Sequence, residues 1–429
     1  MIWILNLILA LLIVIIFAYL VRHYVFTLTA LYYRGGQPHF APSRSYQPNV
    51  SILIPAHNEE KVIERLLQRT IELTYPKEKL EIIVVDDAST DKTSDIAESF
   101  AKKYNQIKVI HRMRGGGNGK STVLNEGLKH ANGEIIFCFD ADYYPQRDII
   151  EKLAAYFIDP KVGAVQGRVT VLNEPNTFVT RLVTLERIGG YRVDQLARDY
   201  LRLIPQFGGT VGGFRRDLVV SLDGWNPNML AEDTDLTFRA YLAGYKIRYV
   251  NDAECYEEAV ETWQSYRRQR YRWARGHMQA AIKHLWPLIR SKNLSLREKI
   301  DGFLLLNVYF MPLLVALAWF LGAVSYLVQT SELAAFYWFL PSVFVFSSVG
   351  NFAPFFEVGI GAYLDGREHV CRLIPLLPIA FLFNVAICAK AFFDLCTSKL
   401  VGNNSCKWAK TSHNGNGNNF INISSKKEM

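Results

Sequence analysis

SILIPAHNEEKVIERLLQRTIELTYPKEKLEIIVVDD, residues 51–87, contains two short apolar runs separated by a segment with helical spacing. The runs, Ser51–Ala56 and Glu81–Asp87, have the length and the β-branched content of buried strands. Between them, residues 58–73 repeat apolar side chains every three to four positions, as an amphipathic helix does. This strand–helix–strand order predicts an α/β fold with a parallel sheet.

The same alternation continues along the chain. A helix is predicted over Asp91–Tyr104, a third strand over Ile107–Ile110 and a fourth over Glu134–Asp140. Continuous apolar strands indicate a Rossmann-like sheet that helices cover on both faces, because such strands are buried on both sides. Ligands of these sheets bind beyond the carboxyl ends of the strands.

Acidic residues follow two of these strands. Asp86 and Asp87 close one strand, and Asp140 and Asp142 close another. A carboxylate at a strand end can instead cap the next helix, so both interpretations of the first pair stay open. In Asp140-Ala141-Asp142, strand alternation puts both carboxylates on one side, which suits a Mg²⁺ or Mn²⁺ ion that also holds a diphosphate.

A glycine-rich loop lies between the two acidic pairs. Residues 112–120 read RMRGGGNGK, and glycines let backbone amides approach an anion while Lys120 supplies a charge at the start of a helix. The Walker spacing is absent, since its first glycine falls on Arg114. A flexible loop before a capped helix is the alternative.

Three further clusters each have a structural alternative. They are QFGGTVGG at 206–213, AEDTD at 231–235 and QRYRW at 269–273. An acidic pair that opens a helix can simply complement the helix dipole. Arg and Trp before an apolar segment can simply anchor a helix at a membrane interface.

Both ends of the chain are apolar enough for a bilayer. Residues Ile2 to Val21 lack charges, and no basic residue precedes them as a signal peptide requires, so residues 1–33 are predicted to be a transmembrane anchor. The C-terminal region 302–396 is expected to hold about three spans, after an interfacial segment at 283–300 and before a disordered tail at 397–429. Its stretches are 302–328, 333–364 and 373–396, and the middle one is broken by Pro354 and Glu357, so part of it could be re-entrant.

Basic residues near the spans predict the orientation. Arg22, Arg34 and Arg44 follow the first span, which places the middle domain in the cytoplasm of a multi-pass plasma-membrane protein. Lysines in the C-terminal tail conflict with this span count, because three later spans leave the tail outside.

Charge and cysteine content restrict the partners. The net charge of +8 lies mostly beside membrane segments, which favours anionic lipid and a polyphosphate donor over nucleic acid. The six cysteines form no CxxC pair, so we expect buried thiols and neither a zinc site nor a disulfide framework.

Seven short motifs, taken in order, resemble the processive membrane-bound branch of glycosyltransferase family 2. That branch contains cellulose, hyaluronan, chitin and poly-N-acetylglucosamine synthases. The resemblance covers about Asn49 to Gln279 and predicts a glycosyltransferase domain at 49–282. The motifs are PAHNE (55–59), VVDDAS (84–89), GKSTVLN (119–125), DAD (140–142), GGT (208–210), AED (231–233) and QRYRW (269–273).

The resemblance implies a GT-A fold and a role for each matching residue. Asp233 is the expected general base and Asp142 the expected metal ligand. Donor contacts are expected from Ala56, Glu59, Asp86, Asp87, Lys120 and Asp140. Contacts to the acceptor or the pyrophosphate are expected from Gln269, Arg272, Trp273, Gly209, Thr210 and Glu232. Ala231 replaces the usual Thr of the Thr-Glu-Asp signature, and the 206–210 loop also departs from the common pattern, which weakens an assignment to cellulose synthesis.

The sequence therefore predicts an inverting, Mg²⁺- or Mn²⁺-dependent transferase. Its donor is expected to be UDP-N-acetylglucosamine or UDP-glucose, and its product a β-linked polysaccharide exported through its own membrane segments. An accessory export subunit is compatible with this hypothesis. The alternative is transfer of one sugar to a polyprenyl phosphate or glycolipid, and a catalytically inactive scaffold subunit is the least favoured class.

Overall fold

The computed structural model describes residues 2–34, 45–113, 119–328, 351–400 and 415. Residues 114–118 of the glycine-rich loop, residues 329–350 of the middle apolar stretch and nearly all of the tail beyond Leu400 lie outside this part of the chain.

An eight-stranded sheet forms the centre of the molecule, in the order β3-β2-β1-β4-β7-β6-β8-β5. The four strands at one side, β3, β2, β1 and β4, pair in parallel, which confirms the prediction for this half. The other half is mixed, because β7 runs antiparallel to both of its neighbours and β5 is antiparallel to β8. The strands are β1 (Val50–Ala56), β2 (Leu80–Asp86), β3 (Ile107–His111), β4 (Ile135–Cys138), β5 (Tyr144–Pro145), β6 (Val162–Val171), β7 (Gly212–Arg215) and β8 (Lys246–Glu257).

Helices cover both faces of the sheet. Their apolar faces pack onto the buried strand residues in two large clusters, one on each side, as the continuous apolar strands predicted. The helices between the first strand and residue 290 are α2 (Ile63–Ile71), α3 (Thr93–Lys103), α4 (Lys120–His130), α5 (Ile149–Ala154), α6 (Phe178–Arg187), α7 (Leu196–Tyr200), α8 (Arg216–Ser221), α9 (Glu232–Leu242) and α10 (Trp263–Arg290).

A π-helical segment, Ile188–Gln195, joins α6 to α7 without a break. Thr177 begins this long helix with a capping box, because its hydroxyl accepts from the Thr180 amide while the Thr180 side chain bonds back. Wide π turns are frequent at functional sites, since they redirect side chains on one face of a helix.

The last turns of the N-terminal helix α1 (Ile2–Tyr33) pack against the core around the sheet. Phe26 and Ala30 are buried in the core on one face of the sheet, and the Tyr33 ring stacks on Tyr200 with 4.0 Å between centroids. The apolar helix therefore packs directly onto the core of the sheet.

The C-terminal helices are α11 (Leu296–Leu306), α12 (Met311–Val328), α13 (Asn351–Leu364) and α14 (Leu377–Leu400). Within the described ranges, two helical stretches are long and apolar enough to cross a membrane, Leu7–Tyr33 and Glu368–Ser398. The predicted stretch 302–328 corresponds to α11 and α12, which bend by 76° at a short break and count as a third span only if taken together. Part of the predicted interfacial segment 283–300 is the end of α10, which continues to Arg290.

Candidate active site

A cavity of about 450 Å³ lies at the carboxyl edge of the parallel strands. This is where a doubly wound sheet binds its ligands. Thirteen of the fourteen site residues predicted from the sequence line the cavity, and the exception is Asp86. The cavity runs from the ends of β1 and β2 past α9 and α10 to Tyr309 and Arg22, beside the apolar helices.

The two aspartates that follow β2 have different surroundings. Asp86 is buried, accepts a hydrogen bond from the Ser89 amide at 3.1 Å and lies 3.3 Å from His111 Nδ1. Asp87 faces the cavity, and its Oδ1 accepts from Arg112 at 2.5 Å. Asp87 is therefore positioned for a ligand, whereas Asp86 stabilises the turn.

The loop after β1 forms the neighbouring wall of the cavity. Ala56 and Glu59 line it, and the Glu59 amide bonds the Thr93 hydroxyl at 2.7 Å, which fixes this loop to the start of α3. His57, which the sequence hypotheses did not single out, also lines the wall, and its Nδ1 lies 2.7 Å from the Asp87 carbonyl oxygen.

Lys120 begins α4 and points at the next acidic turn. Its Nζ lies 2.5 Å from Asp140 Oδ1 and donates to the Gly209 carbonyl at 2.8 Å. Burial alone lowers the pKa of Lys120, but the Asp140 and Glu232 carboxylates raise it above its ordinary value, so the side chain is cationic. A buried cation at this edge can neutralise part of a diphosphate.

Asp140 and Asp142 lie in the turn after β4, which ends two residues earlier, at Cys138. Thr210 Oγ1 accepts from the Asp140 amide at 3.1 Å, and Arg65 donates to the Asp142 carbonyl at 2.8 Å, so side chains on both sides fix the turn. The Asp142 residue is only 8% exposed. Two carboxylates on one fixed turn fit a Mg²⁺-type ion, which takes one or two protein carboxylates and completes its shell with phosphate oxygens and water.

The excess of acidic over basic side chains in the cavity also favours a bound Mg²⁺ or Mn²⁺ ion. Nine carboxylate side chains and five lysine or arginine side chains line it. An anionic diphosphate would be repelled by this lining unless a divalent cation entered with it. In the described residues, the three-ligand cluster that satisfies metal spacing is His23, Asp194 and Glu357, of which Asp194 alone lines the cavity.

Asp233 lies in the first turn of α9, where it faces the loop that contains Gly209. Its Oδ1 accepts from the Thr234 amide at 2.7 Å. Gly209 has φ +84°, and a Cβ built there would lie 3.2 Å from Asp233 Oδ2, so glycine permits this close approach. Asp233 Oδ2 therefore lies beside Gly209 at the wall of the cavity.

Glu232 and Arg272 flank the Asp233 carboxylate. Burial and then the charge of Asp233 raise the pKa of Glu232 to about 7. Burial lowers the pKa of Arg272, and Glu232, Asp140 and Asp233 partly offset that effect. The Arg272 charge therefore interacts with the Asp140 carboxylate as well as with Glu232 and Asp233.

Gln269, Arg272 and Trp273 lie on one face of α10, at spacings of three and four residues, and all line the cavity. The Trp273 ring has the guanidinium carbons of Arg270 at 4.2 Å and Arg187 at 5.1 Å from its centroid. These cation–π contacts fix the orientation of the indole.

One turn further along α10, His277 lines the same cavity. Gln206 donates to Thr234 Oγ1 at 2.6 Å, Thr234 Oγ1 lies 3.1 Å from His277 Nε2, and His277 Nδ1 lies 2.9 Å from the Trp273 carbonyl. These contacts connect the 206–210 loop, α9 and α10. The helical step of four from Trp273 was the signal that could have identified His277 from the sequence.

The site has the arrangement of the GT-A glycosyltransferase fold. A lysine and paired carboxylates lie at the carboxyl edge of the sheet, and a further carboxylate lies on the helix opposite. The profile of the family described as glycosyltransferase like family 2 matches residues 48–276, more than half of the chain. The chain belongs to this family.

Three curated relatives illustrate the range of the family. The probable glycosyltransferase YdaM of Bacillus subtilis is 41% identical over 62% of this chain and 63% of the relative. The beta-monoglucosyldiacylglycerol synthase of Synechocystis is 33% identical over 62% of this chain and 55% of the relative. The poly-beta-1,6-N-acetyl-D-glucosamine synthase of Staphylococcus epidermidis is 26% identical over 80% and 82%. The matches to the first two relatives span less than two thirds of their lengths.

Among solved structures, the mannosyltransferase PcManGT from Pyrobaculum calidifontis in complex with GDP-Man and Mn²⁺ has a TM-score of 0.61 with this chain at 23% identity. The match covers 90% of this chain and 99% of that one. It confirms the predicted GT-A fold.

Proposed function

We propose that this chain is an inverting, metal-dependent glycosyltransferase that uses a UDP-sugar, UDP-N-acetylglucosamine or UDP-glucose, to extend a β-linked polysaccharide at a membrane. One observation supports this most: a single cavity contains the Lys120–Asp140 contact, the Asp233 carboxylate and the aromatic face of Trp273. The three are the groups needed to hold a donor, deprotonate an acceptor and position it.

The donor binds with its diphosphate at the end of the cavity that contains Lys120 and Asp140. Asp142, with Asp140 beside it, would hold a Mg²⁺ or Mn²⁺ ion, and such an ion would neutralise charge on the departing diphosphate. Lys120 and Arg272 add positive charge at the same place. Asp87, Ala56 and Glu59 form the wall against the uridine.

Asp233 removes the proton from the acceptor hydroxyl as that oxygen attacks the anomeric carbon from the face opposite the diphosphate. One carboxylate suffices for this displacement, and the configuration at the anomeric carbon inverts. The Thr234 amide fixes the carboxylate through Oδ1, at 2.7 Å. Trp273 and Gln269 hold the acceptor so that its hydroxyl reaches Asp233.

The membrane assignment rests on the apolar helices. Two long apolar helical stretches in the described ranges indicate a membrane protein, and α1 packs directly onto the catalytic domain. We propose a multi-pass protein of the plasma membrane whose catalytic domain faces the cytoplasm, where activated sugars are made. Arg22 at the end of the first apolar run supports this orientation.

A second candidate function is transfer of one sugar to a glycolipid acceptor. The identity of 33% to a glucosyldiacylglycerol synthase favours it, as does the extension of the cavity to Leu305, Val308 and Tyr309 beside the apolar helices.

The test uses the purified full-length protein in detergent with lipid, Mg²⁺ or Mn²⁺, and radiolabelled UDP-N-acetylglucosamine or UDP-glucose. We expect labelled carbohydrate that stays in water and migrates as a polymer. Label that extracts with lipid as a monosaccharide supports the second candidate instead. Absence of incorporation from either donor, with protein shown to be folded, contradicts both.

A further inference from the structure

Thr234, the residue next to the proposed base, has a hydroxyl group with two acceptors within reach. Its Oγ1 lies 3.1 Å from His277 Nε2 and 3.4 Å from Asp233 Oδ1. The Gln206 amide donates to the same oxygen at 2.6 Å, and the hydroxyl itself has one proton to give. Thr234 is fully buried, so that proton goes to the imidazole or to the carboxylate.

The backbone of α10 fixes which nitrogen of the His277 ring carries the proton. His277 Nδ1 lies 2.9 Å from the Trp273 carbonyl oxygen, and a carbonyl oxygen can only accept. The proton of the neutral ring is therefore on Nδ1, which leaves Nε2 as an acceptor. The Gln206 amide nitrogen, a second donor, lies 3.4 Å from the same Nε2.

The His277 ring is neutral near pH 7. Burial lowers the pKa of His277 below its ordinary value of 6.5, and the Asp233 charge and the Trp273 carbonyl offset this effect only in part. In the described part of the chain, the ionisable groups that face this ring from neighbouring elements are Asp233 on α9 and Tyr309 after α11. The Tyr309 ring is an uncharged phenol, and its centroid lies 4.6 Å from that of His277.

The distances favour the imidazole as the acceptor of the Thr234 hydroxyl. At 3.4 Å, the contact from Thr234 to Asp233 is longer than a normal O–H···O hydrogen bond of about 2.5–3.0 Å. Asp233 Oδ1 also accepts already from the Thr234 amide, at 2.7 Å. A second hydrogen bond at this oxygen would stabilise the charged carboxylate and make it a weaker proton acceptor.

We propose that His277 is a positioning residue for the general base: its Nε2 accepts a hydrogen bond from the Thr234 hydroxyl and so keeps that hydroxyl from donating to Asp233. This inference rests on the proposed role of Asp233 in glycosyl transfer. When His277 gains a second proton, Nε2 becomes a donor, and the Thr234 hydroxyl turns about its C–O bond toward Asp233. The base then weakens without movement of any heavy atom.

The first test is a double-mutant cycle on the kcat of transfer by the purified full-length protein at neutral pH. The donors are UDP-N-acetylglucosamine and UDP-glucose, and the acceptors are a β-linked oligosaccharide and diacylglycerol vesicles. His277→Phe keeps a flat ring beside Tyr309 and removes the acceptor nitrogen. We expect kcat to fall about tenfold while the donor KM stays within about twofold, because the base is weaker and the donor contacts are unchanged.

The second arm of the cycle removes the hydroxyl with Thr234→Val. In that background, His277→Phe should lower kcat by no more than about twofold relative to Thr234→Val alone, because no hydroxyl remains that could turn toward Asp233. A role of His277 in packing alone predicts the same loss in both backgrounds.

His277→Gln is a conservative variant that adds a pH readout. Its amide oxygen can accept from the Thr234 hydroxyl but does not titrate. We expect kcat within about threefold of wild type at neutral pH. Below pH 6.5, where wild-type transfer falls as His277 gains its second proton, the His277→Gln variant should keep its activity to a lower pH.

His284, seven residues further along α10, provides the matched control. It is buried, lies 2.8 Å from Asp235 on α9 and lies outside the set of described residues that line the cavity. His284→Phe should lower the melting temperature, because Asp235 loses a partner, and should leave the pH dependence of transfer by the folded protein as in wild type.

A loss of kcat in His277→Phe that disappears in the Thr234→Val background, together with the altered pH profile of His277→Gln, supports the proposal. Equal losses in the two backgrounds overturn it, and so does a pH profile that is identical in wild type and His277→Gln. Absence of turnover of either UDP-sugar by the wild type, or full turnover by Asp233→Asn, overturns the proposed function and this inference with it.

Discussion

Replacement of Asp233 by Asn separates catalysis from binding in this site. The Asn side chain keeps an oxygen that accepts from the Thr234 amide, now at 2.7 Å, and its amide nitrogen takes the place of the oxygen near Gly209. The variant therefore retains the local geometry and loses only a group that can take a proton. Loss of a general base lowers turnover by roughly two to four orders of magnitude, or about 3 to 5 kcal/mol of transition-state stabilisation.

The assay is UDP release in the presence of acceptor, with donor binding measured separately by calorimetry. We expect the affinity for UDP to stay within about threefold of wild type, because Asp233 acts on the acceptor. A small loss of turnover together with weak UDP binding would refute the base assignment and make Asp233 a helix-terminus charge or a metal contact.

Asp235, two residues along the same helix, provides the matched control. It is fully buried and contacts Lys283 at 2.6 Å, Arg239 at 2.8 Å and His284 at 2.8 Å. These partners hold the pKa of its carboxyl well below its ordinary value. Asp235→Asn removes the charge that pairs with Arg239, the buried His284 and the exposed Lys283, so it should lower the melting temperature while the surviving folded protein keeps its turnover.

Four further predictions concern the metal, the acceptor, pH and topology. Asp142→Ala should abolish transfer at every Mg²⁺ or Mn²⁺ concentration, and full turnover in excess chelator would contradict the metal requirement. Trp273→Ala should shorten the product or abolish it while donor hydrolysis persists, whereas product of normal length made at a normal rate would rule out the acceptor role. The pKa of Glu232 is about 7 in the folded protein and 4.5 in the unfolded chain, so the folded protein holds a proton that the unfolded chain loses between these values. The melting temperature of the ligand-free protein should therefore fall as pH rises from 4.5 to about 7, and Glu232→Gln should flatten this dependence of the melting temperature on pH. Met113 is 91% exposed, so the Met113→Cys variant, in a background lacking other cysteines, should react with a membrane-impermeant thiol reagent in permeabilised cells and not in intact cells. Labelling in intact cells would contradict the orientation.

The parallel half of the sheet was predictable because each of its strands is a short, continuous apolar run. Ser51–Ala56 and Glu81–Asp87 became β1 and β2 to within one residue at each end. The mixed half was not assigned from the sequence. Its long strands, β6 and β8, pair with register shifts near Gly167, and such irregularities depend on tertiary contacts more than on local pattern.

The candidate site was predictable where a motif stands at the end of an element. Lys120, Asp140 and Asp233 belong to motifs more than ten residues apart, and the sheet brings all three into one cavity. The π-helical segment 188–195 was not predicted, because a π turn depends on packing: this segment contacts α13, where Gly189 approaches Glu357. Arg22 was used only as an orientation signal, since nothing in the sequence relates it to Asp194, 172 positions away.

The five cysteines in the described ranges are free. Cys138, Cys255 and Cys388 are buried as predicted, whereas Cys371 is half-buried and Cys396 is exposed, which the prediction of buried thiols did not anticipate. Cys406 lies outside those ranges. The predicted disordered tail also lies outside them, apart from the last residues of α14 and Gly415.

The anomeric configuration of the product tests the central claim most directly. The purified protein is given an α-linked UDP-sugar with Mg²⁺ or Mn²⁺, and the newly formed linkage is examined by the proton coupling of its anomeric signal in NMR. A single base, Asp233, that deprotonates an acceptor attacking opposite the diphosphate predicts a β linkage and one UDP released for each sugar transferred. An α linkage, or transfer without release of UDP, would contradict the account.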